Sequence, residues 1–236
     1  MSTNSETRAI DQAFEALKTY DAGSNRGALQ PIDEAVVAAM KDESSRAKLE
    51  ARLAAALAAE MPAVAKAYVC GKLRLIGGPA SVPALAALLG QTELSHAARN
   101  ALEALPCAEA IAALRASLAK LSGLPKAGVM ASLGIRRDAA SVPDLKALLR
   151  DGDAQVAGAA VAALGEIGTA EAGEAIREFL SGAAGPLRAV TADACLACAE
   201  RLKAGGNEAA ARALRNLLTT ADQPEYIRAA AKLGKD

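Results

Sequence analysis

The stretch SVPDLKALLR, from Ser141 to Arg150, decides the fold because almost the same sequence, SVPALAALLG, occurs from Ser81 to Gly90. A related segment, EAIAALRASL, lies midway between them at 109–118. The apolar residues of the three segments align at offsets of 29 and 31 residues, and within each segment they have the spacing of one helix face. The chain therefore repeats with a period of about thirty residues, which is in the range of helical repeat units.

A second segment recurs between the copies of the first one. It reads LSHAARNALEAL at 94–105, LPKAGVMASLG at 124–134 and AQVAGAAVAALGEIG at 154–168, with apolar residues three and four apart. Each repeat then contains two short amphipathic helices, and no stretch alternates in the manner of a strand. Two helices per unit, repeated along the chain, predict an all-α fold of the α-solenoid type, in which neighbouring hairpins share one core.

Residues typical of helix ends stand between these segments. Ser81 and Ser141 are predicted N-caps, and each is followed by a proline in the first helical turn, where a missing N–H costs nothing. The Gly77-Gly78 pair is predicted to stop a helix rather than to cradle a phosphate, because it follows a helix and lacks the GxGxxG pattern. Further glycines predicted at helix ends are Gly134, Gly168 and Gly234.

The composition limits the classes of protein to which this chain can belong. Of its 236 residues 52% are hydrophobic, most of them Ala, Leu and Val, and there is no Trp. A core of small side chains suits helices packed at close range better than a β-sandwich, which needs β-branched and aromatic residues. Lys and Arg together number 27, as do Asp and Glu, so the basic excess typical of a nucleic-acid-binding protein is missing.

The repeated phrases VPxLxxLL and AAVAALGEIGTAEA resemble HEAT repeats, in the short variant also found in bilin-lyase-like proteins. The resemblance is plain over 62–181 and weaker to residue 234. It implies one α-solenoid, a right-handed superhelix of about seven antiparallel helix pairs over residues 1–236. Its expected parts are a divergent N-terminal helical cap at 1–60, the best-matching repeats at 61–203 and a C-terminal capping repeat at 204–236.

A polar stripe on the predicted helix over 94–105 is the first candidate for a binding surface. His96, Arg99, Asn100 and Glu103 are spaced three and four residues apart, while the alanines and leucines between them face inward. Such a stripe is most often a solvated helix face, and the functional alternative is one wall of a binding surface. His96 is the single histidine of the chain, and no nucleophile motif such as GxSxG accompanies it, so no catalytic residue is predicted.

The resemblance implies that the second helix of every hairpin lines the concave side, where stacking places equivalent positions in a row. Aligning the repeats on their Leu-Gly pairs places Met130 and Val161 in the same row as Arg99. One end of the row is then polar and its middle is apolar, which predicts a groove that a partner helix or loop can bury. The alternative is that Met130 and Val161 pack between neighbouring repeats, since a shift of one residue turns a helix position by about 100°.

Four cysteines stand at positions 70, 107, 195 and 198 without regular spacing. Cys195 and Cys198 form a CxxC pair, but this pair lies inside an Ala-rich helical segment and is not joined by a second CxxC. Redox and zinc motifs need a strand-to-helix context or further ligands, so all four cysteines are predicted to be small buried thiols. The sequence predicts no metal site and no cofactor.

These features favour a non-enzymatic protein–protein interaction scaffold that binds a protein or peptide partner through the concave surface. The resemblance keeps a second class open, a bilin-lyase-type protein that handles a chromophore, although no residue here specifies a bilin site. A third class is nucleic-acid binding, as in HEAT-like alkylpurine glycosylases. It is disfavoured because Trp is absent and the few aromatic residues are scattered along the chain.

The start of the chain and its apolar stretches bear on its location. The sequence MSTNSETRAIDQAF at 1–14 is polar and lacks the apolar core of a signal peptide, and no run of about 18 apolar residues predicts a membrane span. We therefore expect a cytoplasmic protein with no membrane partner. The alternative is an exported protein whose leader is absent from this sequence. The sequence carries no signal for an oligomeric state.

Overall fold

The computed structural model describes residues 2–220 and 223–233. Within them the chain forms fourteen α-helices and no strand, which confirms the all-α prediction and gives the number of helices that seven pairs need. In this part of the chain no helix is both long and apolar enough to cross a membrane. The predicted helix end at Gly234 lies outside the described residues.

The helices form two compact units, unit 1 at Met1–Leu121 and unit 2 at Ser122–Asp236. Each unit consists of helices that pack against their neighbours along the chain, as in an α-solenoid. The predicted N-terminal cap at 1–60 lies in unit 1, and the predicted capping repeat at 204–236 lies in unit 2. A single right-handed superhelix over the whole chain stays a prediction.

Unit 1 contains three contacting helix pairs and one further helix. Its α-helices are α1 Ser2–Ala16, α2 Gln30–Ala39, α3 Glu43–Ala58, α4 Ala63–Ile76, α5 Val82–Ala86, α6 Ser95–Ala104 and α7 Ala108–Ser117. Helices α2, α4 and α6 pack in one layer, and α3, α5 and α7 pack in a second layer. Contacts within the pairs α1–α2, α3–α4 and α5–α6 join the two helices of each hairpin. The contacts within the layers join one hairpin to the next, so each hairpin completes its core against its neighbour.

Unit 2 has the same two-layer arrangement. Its α-helices are α8 Gly123–Ile135, α9 Val142–Leu148, α10 Ala154–Ile167, α11 Ala170–Leu180, α12 Gly185–Ala204, α13 Glu208–Leu217 and α14 Glu225–Leu233. Helices α8, α10 and α12 lie side by side in one layer, while α9, α11 and α13 form the other. Helix α14 packs against α12 and α13.

The close contacts within the α8–α10–α12 layer depend on glycine. A Cβ added at Gly134 would lie 3.1 Å from Cα of Ala163 on α10, and one added at Gly165 would lie 2.9 Å from the carbonyl oxygen of Ala194 on α12. Gly134 is the last residue but one of α8, one position from the predicted helix end. It does not have the positive φ expected there and instead provides room for the neighbouring helix. Gly168 ends α10 as predicted, in the left-handed conformation with φ of 67°, which glycine adopts without strain.

The predicted capping role of Ser81 and Ser141 is also wrong. Each serine stands directly before a helix, α5 or α9, but its side chain accepts no hydrogen bond from that helix. The hydroxyl donates backwards instead, from Ser81 to the Gly78 carbonyl at 2.9 Å and from Ser141 to the Asp138 carbonyl at 2.7 Å. Both serines are fully buried, so each one closes the 3-10 turn that precedes its helix.

Glu50 of α3 holds one of these turns against the preceding hairpin. Its Oε1 accepts hydrogen bonds from the backbone N–H groups of Gly78 at 2.7 Å and Ser81 at 2.9 Å. Gly77 ends α4 as predicted. The Glu50 carboxylate binds the backbone of the segment that connects α4 to α5. Glu50 is only 8% exposed, so these charge-assisted bonds are shielded from competing water.

We expect Gly165→Ala to lower the free energy of unfolding by about 1–3 kcal/mol, the usual cost of overpacking an interior. Gly158→Ala on the same helix is the matched control, because the nearest atom to its new Cβ is Leu187 Cδ2 at 3.5 Å. Alanine at that position should raise stability by about 0.4–1 kcal/mol. Urea unfolding followed by far-UV circular dichroism measures both, and equal effects of the two changes would contradict the close-packing interpretation.

We expect Glu50→Ala to lower the free energy of unfolding by at least about 2 kcal/mol, since the N–H groups of Gly78 and Ser81 lose their acceptor. Glu50→Gln keeps a side-chain oxygen and should cost less. The control is Glu43→Ala at the exposed start of the same helix, with an expected change of no more than about 0.5 kcal/mol. Urea unfolding followed by circular dichroism measures the three free energies of unfolding. If Glu50→Ala lowered the free energy of unfolding no more than Glu43→Ala does, the carboxylate would not stabilise the turn.

Candidate binding surface

The four polar residues predicted to form a stripe lie on α6 of unit 1 and are joined by hydrogen bonds. Nδ1 of His96 lies 3.0 Å from a guanidinium nitrogen of Arg99, and its Nε2 lies 3.1 Å from the side-chain amide of Asn100. Arg99 continues the chain with an ion pair to Glu103 at 3.3 Å. The predicted spacing thus brings these side chains together along one side of the helix. Their role in binding stays a prediction.

These contacts place the proton of the His96 ring. An arginine only donates, so Nδ1 accepts from Arg99 and the ring proton lies on Nε2. The structure places the amide nitrogen of Asn100 at Nε2, so a hydrogen bond from this ring proton needs the amide turned to bring its oxygen there. The side chains of Arg99 and Glu103 are 14% and 23% exposed, so their ion pair is partly shielded from solvent and salt. The stripe is therefore an ordered, internally bonded surface.

The structure contradicts the prediction that Met130 and Val161 line an exposed groove. Both side chains are fully buried in unit 2, Met130 on α8 and Val161 on α10. The residue that follows each of them, Ala131 or Ala162, is exposed instead. Successive helix residues are about 100° apart. The alignment of the repeats was displaced by one residue, and it therefore assigned buried positions to the predicted groove.

One side of the α8–α10–α12 layer faces solvent. Helix α10 contacts α8, α9, α11 and α12, which leaves it a single free side, marked by exposed Gln155 and Ala162. Helices α8 and α12 are exposed at the positions that correspond to these two in the repeat. We call this surface the unit-2 face. Its exposed residues are Leu124, Ala131 and Ile135 of α8, Gln155 and Ala162 of α10, and Pro186, Val190 and Asp193 of α12.

The α8 part of the unit-2 face is apolar. Leu124 is 71% exposed and Ile135 is 60% exposed, and Ala131 lies between them at helical spacing. Sequence reasoning missed Leu124 and Ile135, although a signal was present: α8 has apolar residues on its core side and again at these positions, more than its own core needs. A row of exposed aliphatic side chains is typical of surfaces that bind other proteins.

The α12 side of the same layer carries ion pairs. Arg201 of α12 donates to Glu166 of α10 at 2.7 Å, and its side chain crosses Gly168, where an added Cβ would lie 2.1 Å from Cβ of Arg201. Arg215 of α13 is 4% exposed and donates to Glu200 of α12 at 2.5 Å. Unit 2 therefore has an aliphatic row on α8 and a mixed surface on α12, which carries ion pairs and also exposes Val190.

The CxxC pair is buried, as predicted. Cys195 and Cys198 lie inside α12 and are fully buried, and all four cysteines of the chain are free thiols. Burial raises the pKa of Cys70, Cys195 and Cys198 to about 12, because a thiolate would lose its hydration there. Among the described residues no group of three or more His, Cys, Asp and Glu side chains could hold a metal ion. Cys107 departs from the prediction, since it is only half-buried.

Comparison with known families agrees with the fold of unit 2. The family model that matches the chain describes HEAT repeats, and the match covers residues 142–233. It starts at the first residue of α9 and stops at the last residue of α14, so it includes the repeats where the resemblance was weaker. No curated protein matches the chain significantly. HEAT repeats commonly mediate protein interactions. Helix α8, which carries Leu124, Ala131 and Ile135, lies directly before the matched residues.

We expect a thiol reagent to distinguish Cys107 from the other three cysteines. With a pKa of about 12, only about one in ten thousand of the buried thiols is ionised at pH 8. Ellman's reagent should therefore modify Cys107 first and the others only as the protein unfolds, and Cys107→Ser should remove the fast phase. Rapid modification of the folded Cys107→Ser variant would show that the CxxC pair is accessible and would contradict its structural role.

Proposed function

Since this chain is a HEAT-repeat protein, we propose that it is a non-enzymatic scaffold that binds a protein partner through the unit-2 face. The observation that carries the proposal is the exposure of Leu124, Ala131 and Ile135 in one row on α8. This row adjoins the exposed sides of α10 and α12 within the same layer. A repeat protein presents such a surface on a rigid stack, and the surface residues decide what it binds.

The chemistry of the unit-2 face selects the kind of partner. Burying its aliphatic side chains yields about 25 cal/mol for each Å² of apolar surface removed from water. Asp193 on α12 is exposed and adds a negative charge that orients the partner and disfavours acidic ones. The segment that fits is a helix or loop with an apolar stripe and a basic residue at the end that meets α12.

The environment of the potentially reactive groups supports a function without catalysis. His96 is hydrogen-bonded to Arg99 and Asn100 on its own helix, and the thiols of the CxxC pair are buried. The free state of all four cysteines also supports the cytoplasm as the location within this proposal. Chromophore handling and nucleic-acid binding stay predictions, since no feature of the described residues favours either.

Site-specific cross-linking tests the proposal. A photo-reactive amino acid replaces Gln155, at the centre of the unit-2 face, and the purified protein is irradiated in its native lysate. We expect a discrete protein to be attached. Ala131→Glu should reduce this adduct by about tenfold or more, because a bound partner would bury an unpaired carboxylate.

Ala147→Glu is the matched control, because Ala147 is an exposed alanine on α9 in the other layer of the same unit. It introduces the same charge and should leave the adduct unchanged. Circular dichroism confirms that both variants are folded. The absence of any adduct, or an equal loss with both substitutions, would rule out binding through the unit-2 face.

A further inference from the structure

Unit 1 exposes three aliphatic side chains on the neighbouring helices α2 and α4. Val37 of α2, Met40 directly after α2 and Leu75 in the last turn of α4 are each more than half exposed. We call these three residues the unit-1 patch. Large apolar side chains that stand together on a surface favour contact with another protein, so their relative position matters.

Polar contacts show that α2 and α4 run in the same direction. The hydroxyl of Tyr68 on α4 donates to Asp33 of α2 at 2.7 Å and lies 3.3 Å from the Leu29 carbonyl. Lys72, one turn further along α4, pairs with Asp33 at 2.6 Å. The step from Tyr68 to Lys72 on α4 therefore corresponds to the step from Leu29 to Asp33 on α2.

This register brings the three aliphatic residues to one place. Val37 and Met40 follow Asp33 at positions i+4 and i+7, so they lie on the side of α2 that faces α4. Leu75 follows Lys72 by about one turn in the same direction. The unit-1 patch is therefore one continuous aliphatic surface that begins just beyond the Asp33–Lys72 ion pair.

The unit-1 patch and the unit-2 face carry opposite charges. Arg74 stands beside Leu75 at the end of α4 and is exposed, and Asp193 is the exposed carboxylate of the unit-2 face. Neither side chain has a partner among the residues that the structure describes. An apolar surface with a basic rim is the kind of surface that the unit-2 face fits.

The two surfaces also match in shape. On the unit-2 face, Ala131 and Ala162 are exposed between the larger side chains of Leu124 and Ile135, which leaves a shallow depression. The unit-1 patch presents Met40, whose unbranched side chain adapts to such a surface. Neighbouring packed helices are about 8–10 Å apart in both units, so α2 and α4 can each meet one of two adjacent helices of the unit-2 face.

We propose that the partner of the unit-2 face is a second copy of this chain, which docks through its unit-1 patch. The aliphatic side chains of α2 and α4 cover the alanines of α8 and α10, and Arg74 pairs with Asp193. The two surfaces differ, so the contact is head-to-tail and every copy offers both halves of it. A net charge of zero removes long-range repulsion between copies. This inference rests on the proposed function and names its partner.

Sedimentation velocity of the full chain tests the proposal. We expect the average sedimentation coefficient to rise with concentration. Leu75→Glu alters the unit-1 patch and Ala131→Glu alters the unit-2 face, so each variant alone should associate at least about tenfold more weakly. An equimolar mixture of the two should form a one-to-one complex, because one variant supplies an intact face and the other an intact patch.

Three results would overturn the proposal. The first is an unmodified chain that stays monomeric up to about 100 µM. The second is a mixture of the two variants that associates no more than each variant alone. The third is self-association that Leu75→Glu leaves unchanged, because the unit-2 face would then bind a different surface.

Matched controls introduce the same charge elsewhere in each unit. Ala112 on α7 and Ala147 on α9 are exposed alanines in the other layer of unit 1 and of unit 2. Ala112→Glu and Ala147→Glu should associate as the unmodified chain does. Circular dichroism confirms that all four variants are folded. An equal loss of association in the controls would contradict docking through the two named surfaces.

Reversal of the two charges tests the ion pair. Asp193→Lys should weaken self-association by about tenfold, since it places two cations against each other. Adding Arg74→Asp to the same chain restores opposite charges and should restore association. A double variant that associates as weakly as Asp193→Lys alone would show that Arg74 does not meet Asp193, and the proposed docking would be wrong.

Cross-linking at Gln155 separates this inference from the proposed function. The photo-reactive variant, irradiated as purified protein without lysate, should give an adduct of two copies of the chain. An adduct that forms only in the lysate would overturn self-association and leave the proposed function standing. The absence of an adduct under both conditions would rule out both.

Discussion

The close packing of α10 against four neighbouring helices is the constraint on which the structure of unit 2 depends. A Cβ added at Gly165 would lie 2.9 Å from the carbonyl oxygen of Ala194 on α12, too close to be accommodated without a shift, and one added at Gly134 of α8 would lie a tight 3.1 Å from Cα of Ala163. Because α10 is enclosed on every side but one, eight of its fourteen residues are buried. The strip that contains Gln155 and Ala162 is what remains for contact with other molecules.

The same constraint explains why exposed aliphatic residues are informative in this protein. A core of alanine and glycine packs tightly without large side chains, and the chain accordingly has no Trp and few other aromatic residues. The exposure of Leu124 and Ile135 is therefore not explained by a core with more large apolar side chains than it can bury. They are large apolar groups that project from a helix whose buried side is already complete, which is why the unit-2 face differs from an ordinary solvated helix surface.

Local signals were sufficient to predict the helices, but not which side of α8 and α10 faces solvent. The helix pairs follow from apolar spacing and from stop signals such as Gly77 and Gly168, which act within one turn. In an Ala-rich helix, however, adjacent positions such as Met130 and Ala131 are both apolar, so polarity does not separate core from surface.

Polar contacts between successive hairpins distinguish the two sides of these Ala-rich helices. They set the register, that is, the rotation and shift of each helix against its neighbour. Asp33 of α2 accepts from Tyr68 of α4 at 2.7 Å and pairs with Lys72 at 2.6 Å. Partial burial opposes ionisation of Asp33, but the hydrogen bonds from Lys72 and Tyr68 hold its pKa below the usual value. Glu50 makes the equivalent link to the turn before α5, and Arg201 makes it to α10. Alanine surfaces pack almost equally well after a small shift, whereas these charged groups lose their partners. We infer that they select the register, and the register decides which residues are left on the surface for a partner.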